Sequence, residues 1–397
     1  MIDIECKSIS DYLICFTGLC GICEKTSLMD FSPTPAYAEK VLKRIKDERI
    51  LLEKKTPRGK IIRLGAKGYE ILSQIPPLKS HYDLITDHNQ LRTDTKNLSR
   101  FMGTGSIISE MIRTGIPVNG ITLKYTKQTA QEKGSKRKEA GMKNPLQDTY
   151  IKETANTGKA GSDFQEPQVF PGAFFIPGQT VKRDYRIAGS TNQSRARGLI
   201  AGDGFIYAAY FMDGPMKFQT ATESGFSAKL FMVYEKLYGR EKMLAMKRKQ
   251  PNGSAIIFVN TLKDTEKILD GTWNKGNRFL TDAYSHVYIV PVGHGKISMY
   301  LADDFRALIL KSNYYEEELE KVRTEGWEGH CDAIVKGSLS YELLSMDLAT
   351  VNRIERTLKA TEKNKAVGLH ILCDSFQGLL IRDYFKNEQE RVSIEEV

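Results

Sequence analysis

The chain has 397 residues, 41% of them hydrophobic and 27% charged, which is enough for about two or three globular domains. No run of about 18 apolar residues occurs, so no membrane-spanning helix is expected. The polar amino terminus MIDIECKSIS and only six cysteines predict a cytoplasmic protein without a disulfide scaffold. Lys and Arg outnumber Asp and Glu by 58 to 49, a net charge of +9, which suits an acidic polymer as partner.

Residues 1–78 read as one compact unit. Ser8 or Ser10 can cap a first helix in DYLICFTGLCGI. EKTSLMDF reads as a short second helix. A third begins at Thr34-Pro35, a good Ncap–N1 pair, and buries Ala38, Val41, Leu42 and Ile45 at helical spacing. LLEKK and KIIRL flank the turn TPRG as a hairpin, and GAKGYEILSQI is a closing helix. This order of three helices, two strands and a helix predicts a winged helix. Residues 39–67 hold eleven basic residues against four acidic ones, a local net of +7. Charge this concentrated predicts a double-stranded DNA surface. On the third helix, Tyr37 and Lys40 are placed to reach base edges in the major groove, followed by Lys43, Arg44 and Lys46. On the hairpin, Lys54, Lys55, Arg58, Lys60 and Arg63 would meet backbone or minor groove. The phrase Leu64-Gly65-Ala66-Lys67-Gly68-Tyr69 resembles the strand-to-helix step that closes the wing of small winged-helix regulators.

Residues 79–122 read as a helical connector. His88–Arg100 is a polar helix, and Ile107, Ile108 and Met111 lie on another that ends at Gly115. Residues 123–169 read as a flexible basic loop or linker, poor in large apolar residues, in which GSKRKE is a solvated run. Residues 170–397 read as one α/β domain. GAFFIPGQTVK, GLIAGDGFIYAAYFM and MKFQTAT are β-rich, and SAKLFMVYEKLYG is a helix burying Leu230, Val233, Tyr234 and Leu237. SAIIFVN is a strand before the helical LKDTEKILDG. SHVYIVPV and KISMYLA flank GHG as a hairpin, DLATVNRIERTLKATEKN is a helix and GLHILCDSF a buried strand.

Chemistry is sparse. No GxxxxGK[ST] loop is present, so an ATPase is not expected. Cys20-Gly21-Ile22-Cys23 is the only CxxC, and zinc needs about four ligands; Cys15 and Cys20 read as small hydrophobes. His330-Cys331-Asp332 lacks a third orienting group for a nucleophile. Asp203, Glu223 and Lys229 remain: two carboxylates on neighbouring strands and a helical lysine are what a magnesium-dependent nuclease requires. Their order resembles the PD-(D/E)xK restriction-endonuclease-like fold. However, Asp203 follows glycine, and the position two residues after Glu223 is Gly225 rather than lysine. The expectation is therefore a degenerate scaffold with no firm catalytic residue, no metal and no cofactor; magnesium enters only with the endonuclease alternative.

A basic amino-terminal unit, a helical connector, SRARGLIAGDGFIYAAYFMDGPMKFQTATE and a final GLHILCDSFQ together resemble the replication-relaxation family of Gram-positive plasmids and conjugative elements. The resemblance implies a site-specific DNA-binding protein of a mobile genetic element, acting in replication or conjugative transfer. Its partners would be a relaxase, a replication protein or a second copy of itself. The alternatives are an endonuclease guided by the winged helix and a winged-helix transcriptional repressor.

Overall fold

A computed structural model describes residues 1–28, 35–56, 59–86, 95–125, 150–153, 173–184, 194–273, 280–293, 331–335, 338–344, 346–362 and 367–396. The chain is mixed α/β, with twelve helices and several sheets among the described residues. It divides into two compact units, Met1–Arg186 with Arg197–Gly202, and Ile187–Ala196 with Asp203–Val397. No described helix is long and apolar enough to cross a membrane.

The first unit is built around helix α1 (Ile9–Cys20). Ser8 caps it: its hydroxyl accepts the Asp11 N–H at 3.1 Å and donates to the Asp11 carboxylate at 2.6 Å. Every residue of α1 from Asp11 to Cys20 is buried, as expected of a helix that is apolar all round. Around it pack α2 (Pro35–Asp47), α3 (Ala66–Leu72), α4 (Pro76–Thr86) and α5 (Thr95–Arg113). An antiparallel sheet runs β2-β4-β3, from Ile22–Glu24, Gly59–Leu64 and Leu51–Thr56. The expected hairpin is β3–β4, closed by the Thr56–Gly59 pair. Where a second helix was expected, the described residues hold strand β2 and a 3-10 turn at Thr26–Leu28. A three-residue strand is too short to leave a period in the sequence.

The glycines of Leu64–Tyr69 have a steric reason. A Cβ at Gly65 would lie 2.3 Å from the Arg49 carbonyl oxygen, and one at Gly68 would lie 2.1 Å from that of Ile50. Helix α3 therefore seats directly on the backbone that links α2 to β3.

The connector differs from expectation. One helix, α5, runs through Thr95–Arg113, so the residues read as the end of one helix and the body of another are continuous. Its polar-looking start is held by Leu98, Phe101 and Met102, which pack on Ile22 and Ile61 of the sheet. A further strand, β1 (Ile2–Cys6), pairs parallel with β5 (Ile121–Tyr125) and antiparallel with β6 (Tyr150–Glu153). Strand β6 lies inside the stretch read as a loop; residues 126–149 and 154–172 fall outside the described residues. An antiparallel pair, β7 (Phe174–Pro177) and β8 (Gly198–Gly202), with α6 (Gly178–Asp184), completes the unit.

In the second unit, β9 (Phe205–Met212), β10 (Ser254–Val259) and β11 (His286–Pro291) run parallel. Helices α7 (Thr220–Tyr238) and α8 (Arg240–Lys249) lie between β9 and β10 in the chain; α9 (Leu262–Leu269) and α10 (Leu280–Ala283) lie between β10 and β11. A second sheet runs β12-β13-β14-β15, from Ala333–Val335, Ser338–Glu342, Leu369–Cys373 and Val392–Glu396, its last three strands parallel. Helices α11 (Leu348–Ala360) and α12 (Gly378–Tyr384) separate those three. Strands β9, β10 and β14 are buried at every position, which is why they read as continuous apolar runs. Two expectations change here. MKFQTAT is not a strand: it leads into α7, whose first residue is Thr220. SHVYIVPV pairs parallel with β10, and KISMYLA lies outside the described residues.

Two substitutions test the first unit. His81 on α4 is fully buried and donates from Nε2 to the Leu19 carbonyl at 2.9 Å. Burial lowers its pKa from the usual 6.5 to about 4. The unfolded chain therefore binds the extra proton first, and stability falls as pH drops from 6.5 toward 4, by about 3 kcal/mol in total. Urea titrations across that window should show this loss and its absence in His81→Gln; equal losses would contradict the assignment. In Gly105→Ala the new Cβ would sit 1.9 Å from the Ile22 carbonyl oxygen, pushing α5 off β2. The expected cost is about 2–3 kcal/mol, read as a lower urea midpoint.

Candidate nucleic-acid interface

Helix α2 divides cleanly. Ala38, Val41, Leu42 and Ile45 are buried, while Tyr37, Lys40, Lys43 and Arg44 are exposed on the opposite arc. Tyr37 keeps 51% of its surface in solvent. Arg44 donates to the Ser10 hydroxyl at 2.7 Å, which ties α2 to the start of α1. Ser10 thus serves this contact, and Ser8 alone caps the helix.

The hairpin is fastened to α2 by one carboxylate. Glu53 on β3 takes Lys46 of α2 at 2.5 Å and Lys60 of β4 at 3.4 Å. The hydrogen bond from Lys46, with Lys60 beside it, holds the Glu53 carboxyl below its usual range. Lys46 and Lys60 are therefore partly spent inside the unit. Lys54 and Lys55 are exposed on β3. Among the described residues no carboxylate pairs with Lys40, Lys43, Lys54 or Lys55. Arg63 is half-buried near the end of β4. Its charge opposes the burial that pushes the Tyr82 phenol up to about 12. Arg58 lies outside the described residues. Of the expected contacts, Tyr37, Lys40, Lys43 and Arg44 are exposed on α2 and Lys54, Lys55 and Lys60 on the hairpin, while Lys46 is held by Glu53 and Arg63 is half-buried.

The nuclease candidates do not assemble. Glu223 was expected at a strand end but lies in the first turn of α7 and is 1% exposed. Its carboxylate accepts from the Tyr210 hydroxyl at 2.5 Å, the Ser194 hydroxyl at 2.8 Å and the Arg195 N–H at 3.2 Å. Tyr210 also bonds Tyr284 at 2.7 Å. Burial pushes both phenols up, and the Glu223 charge adds to it. This is a closed structural network at the helix N-terminus, where a carboxylate is favoured. Asp203 instead lies in the turn before β9, exposed, and pairs with Lys242 at 2.8 Å. Asp203 lies in the turn just before Phe205, and Tyr210 lies five residues further along β9, about 17 Å of extended strand. At the Asp203 end, the Gly204 N–H donates to Tyr234, eleven residues beyond Glu223 on α7, or about 16 Å along the axis. The two carboxylates thus face opposite ends of β9, whereas ligands of one magnesium lie within about 5 Å of each other. Lys229, half-buried on α7, is six residues from Glu223 and on a different face.

Other chemistry is equally closed. All six cysteines are buried thiols. Cys20 and Cys23 flank the C-terminal end of α1, and burial pushes both thiols up, the reverse of what a reactive pair needs. Asp332 accepts from Arg353 at 2.8 Å and from the Glu342 N–H at 2.9 Å; His330 lies outside the described residues. A cavity of about 460 Å³ in the second unit is lined by Asp270, Asp282, Glu355, Thr281, Asn352 and Tyr384 among apolar side chains, with no Lys or Arg among the described lining. Its carboxylates repel phosphate.

Tyr210→Phe should lower stability by about 2 kcal/mol through the lost bond to a buried carboxylate, measured by urea unfolding. Purified protein with Mg²⁺ should leave supercoiled plasmid intact; nicking abolished by both Asp203→Ala and Glu223→Gln would overturn the structural assignment of these carboxylates.

Compared with family models, curated proteins and solved structures, the chain matches none.

Proposed function

We propose that the chain binds double-stranded DNA, with α2 in the major groove and the β3–β4 hairpin along the backbone, as a winged helix does. One observation carries this reading. Lys40, Lys43, Lys54 and Lys55 are exposed on two elements joined by Glu53, and no described carboxylate neutralises them. Lys40 and Lys43, three residues apart on one helix, repel one another and add nothing to the fold. A phosphate backbone removes the repulsion and releases its counterions. The geometry suits the partner. Helix α2 has thirteen residues, about 20 Å, and a major groove about 12 Å wide admits one helix. The antiparallel sheet β2-β4-β3, in contact with α1 through β4 and with α2 through β3, supports this reading. The family resemblance extends this reading to an origin of replication or transfer on a mobile element, with a relaxase or replication protein as further partner; the DNA-binding reading stands on the surface alone. The opposed placement of Asp203 and Glu223 favours a non-catalytic protein over the endonuclease.

The test uses the full chain and a duplex enriched from a random pool. Tyr37→Ala and Lys40→Ala should each cost about 1–3 kcal/mol on the enriched site only. Lys54→Ala and Lys55→Ala should weaken enriched and random duplexes alike, each lowering the slope of log K against log salt by about 0.9. No enrichment, or binding indifferent to all four substitutions, would contradict the proposal.

A further inference from the structure

The second unit carries its own dense positive surface, on α8. This helix, Arg240–Lys249, contains Arg240, Lys242, Lys247, Arg248 and Lys249 against a single acid, Glu241. It follows α7 after a break at Gly239, where φ is 89°, and Met246 is its one buried residue. A ten-residue helix with one buried side chain gains little from the core.

The helix's own electrostatics explain only part of this charge. Lys247, Arg248 and Lys249 lie in the last turn, where cations suit the helix dipole. Lys247 also sits 5.5 Å from the Phe231 ring centre. Lys242, in the first turn, is neutralised by Asp203. Arg240 opens the helix, where the dipole disfavours a cation, and no described carboxylate pairs with it, with Lys247 or with Arg248. Arg240 and Lys247 are two turns apart on one side, about 10 Å, with Arg248 beside them. Leu244 is the only large apolar side chain that α8 exposes, too little to enter a bilayer, so charge alone defines the surface.

We propose that α8 is a second contact to nucleic acid, binding duplex DNA through its phosphates without reading sequence. It is independent of α2: the first surface selects a site, and α8 adds affinity on any duplex. Three phosphates met by Arg240, Lys247 and Arg248 would add about 2.7 to the salt slope.

The experiment compares the full chain with the triple variant Arg240→Ala/Lys247→Ala/Arg248→Ala, by fluorescence anisotropy on a random-sequence duplex between 50 and 200 mM salt. The triple variant should bind more weakly, with its slope lowered by about 2.7. Arg240→Lys/Arg248→Lys, which keeps every charge, should retain the parent slope. Lys54→Ala/Lys55→Ala on the hairpin, which should weaken binding to any duplex, provides the separate arm. If it weakens binding while the triple variant does not, α8 is not a contact and the reading of the hairpin stands. If the reverse holds, α8 is a contact and the reading of the hairpin fails. Loss of binding to phosphatidylglycerol vesicles with unchanged DNA binding would overturn the proposal. All substituted side chains are exposed, so each variant should keep a cooperative thermal transition and the parent's circular dichroism spectrum.

Discussion

Helix α1 has no side to give to water. Ten consecutive residues, Asp11 to Cys20, are buried, and a helix that is apolar all round needs partners on all sides. Helices α2 to α5 and strands β4 and β5 supply them. The approach is close enough that a Cβ on Gly18 would lie 2.6 Å from Leu72. This enclosure decides the orientation of α2. Its apolar stripe must turn toward α1, so Tyr37, Lys40, Lys43 and Arg44 must turn outward. The hairpin then follows from the short link at Arg49–Ile50, on which Gly65 and Gly68 rest, and from the Glu53 clamp. A basic outer surface is thus a consequence of how one apolar helix is covered.

The second unit spends its carboxylates differently. Glu223 fastens Ser194, Arg195 and β9 to the start of α7. Asp347 caps α11 and accepts from the Val287 N–H and from His286, both at 2.9 Å. Acidic groups used to join elements are held by protein donors and present no vacant cluster; among the described residues no three metal-ligating side chains converge. Five of this unit's cations are carried on α8.

The sequence is legible where a local signal is strong. The stripe of α2, the β3–β4 hairpin, the helix from Ser227 to Tyr238 and the apolar β14 follow from period and turn chemistry. It is opaque where tertiary contacts decide. Strand β6 exists because β1 offers an edge to pair with, and α5 is continuous because Leu98 and Phe101 find Ile22 and Ile61. Glu223 misled for a similar reason. Its spacing from Asp203 suited adjacent strands, but the apolar–polar alternation of MKFQ stops at Gln219, and α7 begins at Thr220. On the candidate surface, composition located the charge correctly to α2 and the hairpin. It could not separate Lys46 and Arg63, which act inside the unit, from Lys40, Lys43, Lys54 and Lys55, because pairing with Glu53 and proximity to Tyr82 are properties of the fold.

The most direct measurement is lysine footprinting of the full chain, with acetylation by an N-hydroxysuccinimide ester read by mass spectrometry, free and saturated with duplex DNA. Lys40, Lys43, Lys54 and Lys55 should lose reactivity in the complex, while Lys386, exposed beside α12, keeps its own. Unchanged modification of those four lysines at full occupancy would contradict the assignment of α2 and its hairpin as the DNA-binding surface.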